Sequence, residues 1–323
     1  MNLPLYYFER CTLNRILLGA NYYPEDWDEE NIDFDIQKMH QCGFNVVRIA
    51  EFAWKKMEPS EGEYCFDWLH KVVDKMKEAG IGVILGTPTA TPPSWLIKKF
   101  PDMAMLGPNG IRTSHGGRRH CCSNNPSYIK YSANIVEKLA SEFGMDDGVI
   151  GWQIDNEIYH FGTGCCCEHC MDAFHNHLAD KYGDVDSVNK AWNLNLFSQA
   201  YDDICDIPAP INTWHNPHIT LEWNLSHFDG HMKFIHMQAD IIRKYSSAPI
   251  GTDTMPLAGF DYRKLNGPLD VAQFNHYSTD LVSVAMWMDY MRKFSSIPFW
   301  NTETQATWNG STCPDHAVCL LYT

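Results

Sequence analysis

The sequence predicts an α/β fold, a (β/α)8 TIM barrel lacking its eighth strand–helix unit. Three observations carry this. Short apolar runs alternate with longer amphipathic ones, the pattern of repeated strand–helix units. Seven such runs can be placed along the chain. Polar motifs follow directly after them, where a barrel of this kind gathers its functional side chains.

The first strand candidate, Leu17–Tyr22, ends in Tyr22-Tyr23-Pro24-Glu25. Asp28–Cys42 follows as a helix with acidic residues in its first turn and Gly43 as its stop. Asn45–Ala50 is the second strand and leads into Glu51-Phe52-Ala53-Trp54, while Asp67–Ala79 is a helix ended by Gly80. Gly82–Thr87 runs into Pro88-Thr89-Ala90-Thr91 and a long loop, Pro88–Asn125. The helix Pro126–Phe143 precedes the strand Val149–Ile154, which closes on Asp155-Asn156-Glu157. Glu168–Tyr182 reads as a helix, Gly183–Thr220 as a second long loop, and Ser226–Tyr245 as another helix. Pro249–Asp253, Val271–Asn275 and Pro298–Asn301 are the last three strands, with the helix Leu281–Phe294 before the final one. The last two strands end on Asn275-His276-Tyr277 and Thr302-Glu303. Only a short tail follows, and its residues Asp315–Thr323 read as the start of a helix.

A barrel missing one unit exposes two sheet edges. It forfeits ~1,000 Å² of apolar burial, roughly 25 kcal/mol gross, against a net domain stability of about 5–15 kcal/mol. Residues 1–323 are therefore read as one barrel domain that is truncated at its C-terminal side.

Composition narrows the function classes. With 45% hydrophobic and 13% aromatic residues the chain can build a substantial core. A formal net charge of −15 argues against nucleic acid and anionic membrane as partners and suits a neutral substrate such as a sugar. No apolar run reaches the ~20 residues of a membrane span. Met1 to Leu18 carries Glu9, Arg10 and Arg15 and lacks a signal-peptide core, so a cytoplasmic location is expected. Twelve cysteines in such a chain point to free thiols or a metal before a disulfide framework.

Two features carry chemistry. Glu157 and Glu303 both stand at the ends of apolar strands, and two carboxyl groups so placed are what glycoside hydrolysis needs. At a separation of about 5–5.5 Å two carboxyl groups cannot both ionise cheaply, so one is expected to keep its proton and serve as acid. The other reading is a pair of solvated loop acids. Cys165-x-Cys167-x-x-Cys170 brings three thiolates into a short turn, and Cys122 is the candidate to complete a tetrahedral set. Four thiolates favour structural zinc and leave no open catalytic position. Free buried cysteines or a redox pair are the alternatives, and Cys121 and Cys166 are further thiols alongside.

Several motifs together resemble glycoside hydrolase family 42. They are Gly19-Ala20-Asn21-Tyr22-Tyr23-Pro24-Glu25, Glu51-Phe52-Ala53-Trp54 with Glu58-Pro59 and Glu61-Gly62, Thr89-Ala90-Thr91-Pro92-Pro93, and Trp152-Gln153-Ile154-Asp155-Asn156-Glu157. The resemblance runs from about Leu18 to Asn309. Members are retaining β-galactosidases whose first domain is a barrel, and full members continue through an eighth barrel unit and two further domains. The resemblance implies Glu157 as acid/base and Glu303 as nucleophile, with Asn156 on the sugar 2-hydroxyl. It further implies Arg118 on galactosyl hydroxyls, Tyr277 orienting the nucleophile and Trp308 as an apolar wall under the sugar ring. Structural zinc on Cys122, Cys165, Cys167 and Cys170 is implied as well, as are a β-galactoside substrate and a trimer for a full-length form. Glu51 and Trp54 are expected to pin the loop after the second strand. Two alternatives share these features: an inactive or binding-impaired fragment of such an enzyme, and a zinc-stabilised interaction module without catalysis.

Overall fold

The computed structural model describes residues 16–159, 162–211, 216–255, 261–278, 280–294 and 296–305. Trp308 and the tail from Asp315 lie outside the described residues. The chain forms two compact units, one of Met1–Trp95, Ser132–Ile158 and Ile235–Thr323, the other of Leu96–Tyr131 and Tyr159–Phe234.

Among the described residues, the first unit holds every strand. In chain order these are β1 (Gly19–Asn21), β2 (Val46–Ile49), β3 (Gly82–Gly86), β4 (Val149–Gln153), β5 (Ile250–Gly251), β6 (Asp253–Thr254), β7 (Ala272–Tyr277) and β8 (Phe299–Gln305). All pairings are parallel, β1 through β5 forming one sheet and β6 through β8 another, each in chain order. Every residue of β2 and β3 is buried, as befits parallel strands covered on both faces.

The single strand expected over Pro249–Asp253 is two short pieces. Ile250 and Gly251 pair with β4, Asp253 and Thr254 pair with β7, and Thr252 between them donates its hydroxyl to the Ile154 carbonyl at 2.8 Å. One segment thus serves both sheets. The helix Asp67–Glu78 covers the strands with Leu69, Val72, Val73 and Met76, the i, i+3, i+4, i+7 spacing of an amphipathic helix.

Helix ends follow their capping residues. The expected start at Ser226 lies inside a longer helix, Pro217–Ile242. Asn216 accepts the His218 amide at 3.0 Å, and Pro217 occupies the first helical position, where a missing N–H costs nothing. The two expected long loops each contain a short helix, Ser94–Lys99 and Val185–Trp192. Asp184 caps the latter by accepting the Ser187 amide at 2.8 Å.

The second unit is built around the helices Glu168–Tyr182 and Val185–Trp192. Phe174, Leu178, Val188, Trp192, Ile219 and Trp223 form its core together with Cys122, Cys165, Cys167 and Cys170.

Candidate active site

The candidate site of the first unit is built at the ends of its strands. Beyond β4 the backbone turns sharply: Asp155 and Glu157 have φ of 54° and 49°. Left-handed backbone at non-glycine residues costs on the order of 1 kcal/mol or more each and persists only when neighbours enforce it. They do so here. The Asp155 amide donates to Thr87 Oγ1 at 2.7 Å, and the Thr89 hydroxyl donates to the Asp155 carboxylate. The Asn156 amide donates to Asp155 Oδ1 at 2.7 Å, and the Glu157 amide to Asp253 Oδ1 at 2.9 Å. Thr87 and Thr89 therefore act on the turn that aims Glu157, which is buried to 6% exposure.

Glu303 is aimed by a bulge. β7 and β8 pair Phe274 with Asn301 and then Asn275 with Glu303, so Thr302 is the extra residue. The Thr302 hydroxyl donates to Asn275 Oδ1 at 2.9 Å, leaving the Asn275 amide to donate to Glu157 Oε1 at 3.0 Å. The Tyr277 hydroxyl donates to Glu303 Oε2. Burial, then this bond to a carboxylate, raises the tyrosine's pKa and keeps it a donor.

Arg48 of β2 links the strands. It donates to Glu51 at 3.0 Å, Gln153 at 2.7 Å, Asp253 at 3.3 Å and Glu303 Oε1 at 2.6 Å. This is the fork geometry for which guanidinium is suited. One cation faces several carboxyl groups, and burial pushes the Asp253 carboxyl up to about 7 even with Arg48 opposing.

The structure thus brings Glu157, Glu303, Asn156 and Tyr277 into one hydrogen-bonded network, with Asn156 Nδ2 3.5 Å from Glu303 Oε1. Arg118 lies in the second unit and is exposed. Glu51 anchors Arg48, while Trp54 is pinned through Glu58, which accepts its indole N–H at 2.8 Å and the Gly62 amide at 2.9 Å. Arg48, Asp253 and Asn275 are functional candidates that the sequence reading missed. A charged residue inside Val46-Val47-Arg48-Ile49, a wholly buried strand, was the available signal for the first.

In the second unit, Cys122, Cys165, Cys167 and Cys170 are buried with their sulfurs within 4.8 Å of one another. Cys122 Sγ lies 3.4 Å from Cys170 Sγ and 3.7 Å from Cys167 Sγ. A tetrahedron with Zn–S of about 2.3 Å has edges of about 3.8 Å, so the spacing fits. The thiols of Cys122, Cys165 and Cys170 directed at Cys167 hold its pKa well below the usual thiol range. Cys167 also caps the helix Glu168–Tyr182, where the dipole favours a thiolate. Around the sulfurs, the Leu106 amide points at Cys165 Sγ at 3.3 Å and Asn124 Nδ2 at Cys170 Sγ at 3.5 Å. The buried four-cysteine cluster fits a structural metal such as zinc.

Parallel strands whose ends carry a buried, arginine-linked carboxyl network place two carboxyl groups, Glu157 and Glu303, in the kind of setting that glycoside hydrolysis uses. The comparisons give the family. The family 42 glycoside hydrolase model, described as beta-galactosidase, matches residues 21–315. Beta-galactosidase YesZ of Bacillus licheniformis is 35% identical over 301 residues, covering 91% of this chain and 45% of that protein. Beta-galactosidase BgaA of Clostridium cellulovorans is 35% identical over 309 residues, covering 92% and 47%. The solved beta-galactosidase of Halorubrum lacusprofundi superposes with a TM-score of 0.85 at 32% identity, over 90% of this chain and 47% of that one. The chain belongs to glycoside hydrolase family 42. It spans about half the length of these relatives.

Proposed function

We propose that this chain is the barrel domain of a retaining β-galactosidase that removes terminal non-reducing β-D-galactosyl residues by double displacement. The observation that carries the reading is the joint setting of Glu157 and Glu303, on the ends of different strands yet tied through Asn275, Asn156 and Arg48. Glu157 donates its proton to the glycosidic oxygen as the C–O bond breaks. Glu303, held by Arg48 and Tyr277, attacks the anomeric carbon and forms a glycosyl ester. Water, deprotonated by Glu157, then opens the ester, and two inversions give retention. Asn156 would hold the sugar 2-hydroxyl. Arg118 and Trp308 are proposed to contact the galactosyl group, and galactose as the sugar rests on family membership.

Zinc is proposed for the four cysteines as a structural ion that fixes the loop carrying Cys165. The cytoplasmic location stays a proposal from the sequence, as does the trimer.

Turnover of a nitrophenyl β-galactoside by the full-length protein tests the reading. Glu157→Ala and Glu303→Ala should each lower kcat/KM by at least about a thousandfold, and the first sugar released should be the β anomer by NMR. Variants as fast as the parent, or an α first product, would overturn the assignment.

A further inference from the structure

Asp253 is completely buried, and it shares its donors with both glutamates. Asn275 Nδ2 donates to Asp253 Oδ2 and to Glu157 Oε1, each at 3.0 Å. Arg48 places Nη1 on Asp253 at 3.3 Å and Nη2 on Glu303 at 2.6 Å. Asn156 Nδ2 is 2.8 Å from Asp253 Oδ2 and 3.5 Å from Glu303 Oε1. The other oxygen of Asp253 accepts the Glu157 amide at 2.9 Å and so holds the strained turn.

An ionised carboxylate accepts only, so it forces both asparagine amides to present NH2. The same NH2 groups face Glu157 and Glu303. A carboxylate in this place therefore decides donor polarity throughout the pair's surroundings, without needing to touch substrate.

We propose that Asp253 is a positioning residue for the two glutamates, ordering Asn156, Asn275 and Arg48. This rests on the double-displacement reading above. Of the charged or titratable groups, Arg48 of β2 and Glu303 of β8 act on Asp253 directly and the Glu157 amide donates to it, while Glu51 and Tyr277 stand one contact further out, on Arg48 and Glu303.

The test is Asp253→Asn in the full-length protein with an aryl β-galactoside. Misplaced donors should lower kcat about 100-fold while KM stays within about twofold, since binding groups are kept. Should that variant fail to fold, Asn275→Ala carries the test. Loss of the donor that Asp253 and Glu157 share should lower kcat about tenfold, with KM again within about twofold. Parental kcat in the folded variants, or a fall in kcat matched by an equal rise in KM, overturns this inference and leaves the catalytic assignment standing. An inactive parent overturns both.

Discussion

Glu25 has both carboxylate oxygens buried, and among the described residues no side-chain donor reaches them. Burial is the main cause that pushes its pKa from 4.5 up to about 7, with Glu51 and Asp26 adding repulsion and Lys56 only partly opposing. A carboxyl raised on folding binds more protons in the native state. Its favourable contribution is complete below pH 4.5 and is lost as pH rises through about 7. Asp253, raised from 3.8 to about 7, acts with the same sign. Glu25→Gln should therefore raise stability at pH 8 by on the order of 1–3 kcal/mol and flatten the fall between about pH 4.5 and 7. Urea midpoints of parent and variant across that range check it, and parallel curves would refute it. Individual residues were unevenly legible in the sequence. Glu157 and Glu303 stood out because each follows an apolar run. Arg48 did not, because its partners Gln153, Asp253 and Glu303 lie 105, 205 and 255 positions away, beyond any periodic pattern. Asp253 was read only as the end of a strand, since what marks it is four donors converging from other segments.

At the scale of elements, the strands read well because Val, Ile and Leu runs buried on both faces have few alternatives. The strand ends read poorly. The split of β5 from β6 and the bulge at Thr302 both depend on which neighbour each residue finds, and they decide where Asp253 and Glu303 point. Val185–Trp192 was hidden because eight residues give barely two turns of periodicity. Close packing between strand ends is equally a property of neighbours. A Cβ on Gly86, the last residue of β3, would lie 2.5 Å from Glu51 Cβ and 2.9 Å from its backbone. Glu51 holds Arg48, so Gly86→Ala should displace the arginine's anchor. The expected result is a loss of roughly 1–3 kcal/mol from overpacking, with kcat falling alongside. Thermal melts and galactoside kinetics on one preparation check this, and a variant with parental values in both would show that the strand ends yield freely.

Across the whole molecule, the two units rest on different sources of order. The first has two parallel sheets, and their strands β2 and β3 are buried throughout. The second packs short helices around a core in which four of the buried side chains are thiols. Thiols contribute little dispersion compared with leucine-sized groups, and four of them converging on one point leave their protons in conflict. A cation resolves that conflict by taking all four as thiolates. Structural zinc binding supplies on the order of 10 kcal/mol at neutral pH, a large term beside the marginal stability of any domain. The purified protein should carry about one zinc per chain by elemental analysis. Cys167→Ser removes one of the four converging sulfurs and should lose the metal, lowering the melting temperature by roughly 10 °C. The same shift should follow prolonged chelation of the parent and reverse on adding zinc, which separates metal loss from damage by the substitution. Metal-free protein that melts where the parent does would mean that the four sulfurs hold this core together as thiols alone.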